Sequence, residues 1–230
     1  MNLDWTAAFI AALHRARTDR ARVILLTSTG RFFCVGGDLD LMANATDLPT
    51  VLDEVVHGLH RVVSELQRSE AIVVCAVQGT AAGAGFPLVA AADIVVAAES
   101  AKFALGYTKV GLSVDGGTSL LVHTLGLHRT LRIALLNDVL TAADAERFGL
   151  VARVVPDRAL TAEAERIAAT LISGPSSAQA ATKAVIRQAA DAEVEACLRR
   201  EALTLVRQGG TADAAAGVSA FSARRHPTFT

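Results

Sequence analysis

Two stretches of small residues, each placed directly after an apolar run, carry the chemistry this sequence can offer. Cys34-Val35-Gly36-Gly37-Asp38 follows R-V-I-L-L-T-S at 22–28, and G-T-A-A-G-A-G at 79–85 follows A-I-V-V-C-A-V at 71–77. Small residues let a backbone come close to a bound molecule, and a turn that opens a helix leaves N–H groups pointing outward. Two such amides converging on one point make an oxyanion hole, which stabilises charge developing on a carbonyl oxygen. Strand-to-glycine corners are also ordinary α/β architecture, and the turns alone do not separate the two readings. Neither turn is a phosphate loop, because no Gly-Lys-Ser/Thr follows. The second also lacks the G-x-G-x-x-G spacing and the later acidic residue of a dinucleotide site. The carboxylate nearest a further glycine turn is Asp115, in V-G-L-S-V-D-G-G at 110–117. It is a proton carrier by type and, before Gly-Gly-Thr, equally a good helix N-cap.

Other reactive side chains read more plainly. Asp38 is a loop-holding carboxylate, and Cys34 a small apolar residue beside the first turn rather than a nucleophile. His57 and His60 read as solvated positions on a helix between the two turns. His14, His123, His128 and His226 show no metal-ligand spacing, so no metal site is expected.

These residues need a scaffold that brings distant turns together. Residues 5–17 place Trp5, Phe9, Ile10 and Leu13 on one helical face, and 22–28 reads as a buried strand. Residues 48–66 return to helical spacing, with Leu52, Val55, Val56, Leu59, Val62 and Val63 as the apolar stripe. Further strands are expected at 71–77, 93–98, 102–105 and 150–155, with helices at 117–125, 128–136 and 142–148. From 160 onward four Ala- and Arg-rich helices follow, broken at Gly174-Pro175, Asp191 and Gly209-Gly210. The chain therefore divides into an α/β core at 1–158 and an all-helical region at 159–230, and strands alternating with helices predict a parallel or spiral sheet.

Composition narrows the function classes. The chain has 230 residues, 52% hydrophobic and 20% charged, which suits a well-cored domain with an appendage. A net charge of −1, with scattered arginines, argues against nucleic acid as a partner. Three widely spaced cysteines do not form a disulfide framework and fit a reducing, cytoplasmic compartment. No charge-free apolar run is long enough to span a membrane, and the first residues show no secretory leader.

At these motifs the sequence resembles the enoyl-CoA hydratase/isomerase (crotonase) family. The resemblance is carried by R-F-F-C-V-G-G-D-L at 31–39, Q-G-T-A-A-G-A-G at 78–85, D-I-V-V-A at 93–97 and K-V-G-L-S-V-D-G-G-T at 109–118. It continues through A-E-R-F-G-L-V at 145–151 and G-V-S-A-F-S-A-R-R at 217–225, so it covers almost the whole chain in order. The resemblance implies a crotonase-like spiral of β-β-α turns whose helical C-terminal region packs homotrimers, often paired into hexamers. It implies that the amides of Gly37 and Ala84 hold the thioester oxygen of an acyl-CoA and stabilise its enolate. Val35, Phe86, Pro87 and Tyr107 would bind substrate, and Phe221 and Arg224 would border the CoA of a neighbouring subunit. No cofactor is implied beyond the coenzyme A of the substrate.

The sequence also departs from that pattern. Hydratases of the family use two glutamates, and here their places hold Pro87 and Tyr107. A proline cannot transfer a proton, and a phenol of ordinary pKa near 10 is a poor base at neutral pH. Asp115 matches the position where isomerase-like branches carry a proton-shuttling aspartate. Its segment looks most like the ring-1,2-epoxyphenylacetyl-CoA isomerases. Family members usually begin with an additional strand pair and an N-R-P segment, whereas this sequence starts almost inside the following helix. Acyl-CoA isomerisation by one base is the leading expectation. Hydration of an enoyl-CoA and non-catalytic acyl-CoA binding are the alternatives.

Overall fold

The computed structural model describes residues 1–190, 194–227 and 229. Helix α1 (Leu3–Thr18) leads into strand β1 (Val23–Leu26), and a short helix α2 (Leu39–Ala43) precedes the long helix α3 (Leu48–Arg68). Strands β2 (Ile72–Val77) and β3 (Thr80–Ala82) then run into helix α4 (Gly85–Ala90). The same order repeats with β4 (Ile94–Ala98) and β5 (Lys102–Ala104), followed by helices α5 (Ser119–Leu125) and α6 (Leu127–Leu136). Strand β6 (Leu140–Thr141), helix α7 (Ala142–Arg147) and strand β7 (Arg153–Val155) close the α/β part.

Two small sheets lie at the centre. One is wholly parallel with order β1-β2-β4-β7, and the other pairs β3 parallel to β5 and β5 antiparallel to β6. Each strand–strand–helix unit thus steps from one sheet to the other, a spiral α/β arrangement. Between its neighbours, β2 is buried along all six residues, as a continuous run of β-branched and small residues requires. Strand β1 differs from the expected buried strand. It is the edge of its sheet, so one side lacks a neighbour and Leu25 is exposed. Helix α3 buries Leu52, Val55, Val56, Leu59, Val62 and Val63, the stripe its spacing predicts. Phe86 and Phe103 fill the centre with ring centroids 5.5 Å apart.

The sequence gives no periodic signal for α2, β3 or β6, because each is only two to five residues long. Strand β3 in particular lies inside the stretch read as a turn, since three residues of Thr and Ala are too few to show alternation.

Four helices follow: α8 (Leu160–Ser173), α9 (Ser176–Ala190), α10 (Val194–Gly209) and α11 (Ala212–Ser222). The break expected at Asp191 lies outside the described residues. Helix α8 covers one face of the parallel sheet, where Leu160 and Ala164 pack on Ala76, Val96 and Ala98. Helix α10 lies along α3. Helix α11 docks beside Val110, where a side chain at Gly217 would collide with the Val110 carbonyl. None of the helices among the described residues is long and apolar enough to cross a membrane.

A buried ion cluster ties α9 to the core. Lys183 places its ammonium 2.8 Å from Asp93 and also donates to the carbonyls of Leu66 and Ala71. Arg187 bonds the other oxygen of Asp93 at 2.8 Å and the carbonyl of Ala92. Burial lowers the Lys183 pKa below its usual value, with Asp93 opposing that shift. Removing the carboxylate strands a buried cation, which is worth more than the pair itself. Asp93→Ala should destabilise the fold by about 3 kcal/mol in urea unfolding; a change within ~0.5 kcal/mol would show that the pair contributes nothing.

Candidate active site

The two glycine turns interlock through their backbones. Phe33 and Cys34 both donate to the carbonyl of Thr80, Ala82 donates to Cys34 O at 2.8 Å, and Gly83 donates to Ala104 O at 3.1 Å. Cys34 and Ala81 form an isolated parallel bridge, so the first turn acts as an extra strand beside β3. The fit requires glycine at Gly85, where any Cβ would press into the carbonyl of Cys34. Asp38 caps α2 by accepting from the Leu41 amide at 3.1 Å, which holds the first turn as expected. The Met1 ammonium donates to Gly36 O at 2.7 Å, and Asp38 N donates to Met1 O.

Between the turns, α3 and α11 lies a cavity of about 300 Å³. Gly37, Ala84, Asp115, Val35, Tyr107 and Phe221 all line it. Among the described residues, neither Gly37 nor Ala84 gives its amide to a protein acceptor, so both remain available to a bound oxygen. Phe86, Pro87 and Arg224 do not line the cavity. Phe86 is turned into the core against Phe103, and Pro87 is buried in the first turn of α4, where its missing N–H costs no hydrogen bond. Arg224 is exposed beyond the end of α11 in a left-handed conformation. Phe86 and Pro87 thus do not make the cavity contacts the sequence suggests. Phe221 borders the cavity of its own chain, where the close approach of Gly217 seats α11.

Asp115 is not the cap that its place before Gly-Gly-Thr suggests. The amides of Gly117, Thr118 and Ser119 donate instead to the Glu201 carboxylate of α10, at 2.8, 3.1 and 2.8 Å. The Asp115 side chain is 2% exposed, and its Oδ1 lies 2.8 Å from Nε2 of His60. Its main-chain oxygen accepts from the Tyr107 hydroxyl at 3.1 Å and from Thr118 at 2.8 Å. His60 is therefore no solvated helix position: its side chain is 12% exposed, and only His57 faces solvent.

Burial raises the Glu201 pKa, and the nearby Asp115 adds to the rise while the hydrogen bonds it accepts oppose it. Burial likewise pushes the Tyr107 phenol well above its usual value, with Asp115 and Glu201 reinforcing the shift. Tyr107 keeps its proton at neutral pH and directs it to a main-chain carbonyl, so it acts as a donor and not as a base. His60, Asp115 and Glu201 bring their donor atoms within 4.8 Å of one another, a cluster that positions 60, 115 and 201 do not announce in sequence. Glu201 is bonded to three amides and His60 to Asp115, which makes the set a hydrogen-bonded network.

The sequence carried faint marks of both missed residues. His60 stands four residues after Val56 and three before Val63, at the border of the buried stripe. Glu201 sits between Leu198, Ala202 and Leu205, an acid on the buried face of its helix.

Known proteins resemble this chain over most of its length. The family model described as Enoyl-CoA hydratase/isomerase matches residues 1–230. A probable enoyl-CoA hydratase of Rhodobacter capsulatus is 41% identical over 96% of this chain and 85% of its own length. A 1,2-epoxyphenylacetyl-CoA isomerase of Escherichia coli is 38% identical over 93% of this chain and 83% of its own. Among solved structures, an enoyl-CoA hydratase from Mycobacterium avium subsp. paratuberculosis superposes with a TM-score of 0.90 at 34% identity, covering 100% of this chain and 89% of that one.

Removing the Glu201 carboxylate leaves three amides without their acceptor at the loop that carries Asp115. Glu201→Ala should cost about 2 kcal/mol of stability, read as a lower midpoint in urea unfolding. An unchanged midpoint would mean that water replaces the carboxylate without loss.

Proposed function

The chain belongs to the enoyl-CoA hydratase/isomerase family, and on that premise we propose that it is an acyl-CoA isomerase, shifting a proton or double bond through a thioester enolate. One observation carries this reading: among the described residues lining the cavity, Asp115 is the sole carboxylate, and its side chain is not engaged as a helix cap. The amides of Gly37 and Ala84 hold the thioester oxygen, so that charge builds on it as a proton leaves the adjacent chain. Losing one such donor costs about 3–4 kcal/mol of transition-state stabilisation. Asp115 takes the proton from one carbon of the acyl chain and returns it to another, leaving its own protonation state unchanged over the cycle. Such a transfer needs neither a redox group nor a metal, and coenzyme A enters only as part of the substrate.

Addition of water asks for a second proton-transferring group. Pro87 has none, and Tyr107 holds its proton on a main-chain carbonyl. The name of the Rhodobacter relative favours hydration as the second reading. Val35 and Phe221, both exposed at the cavity wall, offer apolar surface for the acyl or pantetheine arm. The three cysteines are free, which fits the reducing cytoplasmic compartment we assign.

We read the assembly as a homotrimer or a pair of trimers. Leu127, Leu131 and Leu135 repeat every four residues on the outer face of α6 and are all exposed, as are Val185 and Ile186 on α9. Contiguous apolar rows of this kind mark subunit interfaces. Leu131→Glu should shift the particle toward monomer in light scattering; a wild-type protein that is already monomeric would overturn the assignment.

The reaction itself is tested with a 3-enoyl-CoA and a 2-enoyl-CoA in parallel. Double-bond migration in the first is expected, and turnover of the second alone, by uptake of water, would establish the hydratase. Asp115→Asn should lower isomerisation by at least ~100-fold while the circular dichroism spectrum is retained.

A further inference from the structure

Two separate openings meet at one hydrogen bond. Asp115 lines the cavity described above, whereas His60 lines a different, larger groove of about 600 Å³ between α3 and α10. Asp53, Arg61, Glu65 and Arg199 also line that groove. The His60 ring is the partition between the two spaces. Its Nε2 reaches Asp115 Oδ1 at 2.8 Å, and among the described residues its Nδ1 has no protein partner. The Glu201 carboxylate lies beside both but is held by the three loop amides.

We propose that His60 relays protons between Asp115 and water in this outer groove. The inference rests on the isomerase reading, because it concerns the proton that Asp115 removes from substrate. An imidazole has two nitrogens that exchange donor and acceptor roles, which suits it to passing a proton through a wall. With the neutral imidazole carrying its proton on Nδ1, protonated Asp115 gives its Oδ1 proton to the free Nε2, and the Nδ1 proton leaves to a water of the groove. One N–H bond forms as one O–H bond breaks, and a second N–H bond breaks as hydronium forms. The reverse sequence reloads Asp115, and nothing is oxidised or reduced. Isomerisation alone needs no such exit, since the same proton can return to the substrate. The relay therefore fixes how much of the transferred hydrogen comes from solvent, and it lets Asp115 reset when a substrate departs with the proton left behind.

The test runs isomerisation of a 3-enoyl-CoA in deuterated water and measures deuterium gained per turnover in the product by mass spectrometry. His60→Gln keeps an amide donor against Asp115 but cannot pass a proton through. Deuterium uptake per turnover should fall about 10-fold or more relative to wild type, whatever the change in turnover. In His60→Ala, free imidazole in solution should restore the uptake. Equal uptake per turnover in wild type and His60→Gln would overturn the relay and reduce His60 to a residue that positions Asp115. A wild-type protein that neither isomerises nor exchanges would instead overturn the isomerase reading.

Discussion

The close contact of two backbone turns underlies everything else in this molecule. Residues 33–37 and 79–85 approach so nearly that no side chain fits between Gly85 and the Cys34 carbonyl, and the two segments exchange main-chain hydrogen bonds as strands do. This contact ties the segments of Gly37 and Ala84 together through the main chain. Peptide hydrogen bonds and planar geometry tolerate less drift than rotamers do. An oxyanion site is useful only when its donors are held before charge develops, and on the proposed reading the interlocked turns would supply that preorganisation.

Around that rigid pair, charge is arranged unevenly. Two carboxylates, Asp115 and Glu201, stand close together in a poorly solvated region, an arrangement that repulsion alone would disfavour. The structure separates their surroundings. Glu201 receives three amide donors and serves the loop, while Asp115 receives one histidine and faces the cavity. The helical C-terminal region therefore takes part in the site it covers. α10 brings Glu201 to the Asp115 loop, and α11 brings Phe221 to the cavity wall.

Much of this was legible in the residues. The glycine turns, the α3 stripe, the buried β2 and the helical C-terminal region follow from local pattern, because burial imposes a period on the sequence. The edge exposure of β1 was not legible, since strand order is a tertiary property. Phe86 and Pro87 stand in a motif that touches the site, yet α4 turns them inward; motif position gives the backbone path and not the direction of each side chain. The largest gap was His60 with Glu201. A histidine beside an apolar stripe and an acid within one each carry weak meaning alone, and only the packing of α10 along α3 brings both to the loop that carries Asp115.

That packing also explains why the aspartate sits where it does. A carboxylate used for proton transfer must be desolvated enough to be basic and yet remain able to ionise. Burial alone would keep it neutral. In this chain the Asp115 side chain is almost wholly enclosed, and its hydrogen-bond partner is an imidazole reached from α3 rather than an arginine or a lysine. Unlike a permanent cation, an imidazole can either donate to a carboxylate or accept a proton from it. On the proposed isomerase reading one acid in the cavity is enough, because the proton that Asp115 takes from one carbon can be given back to another.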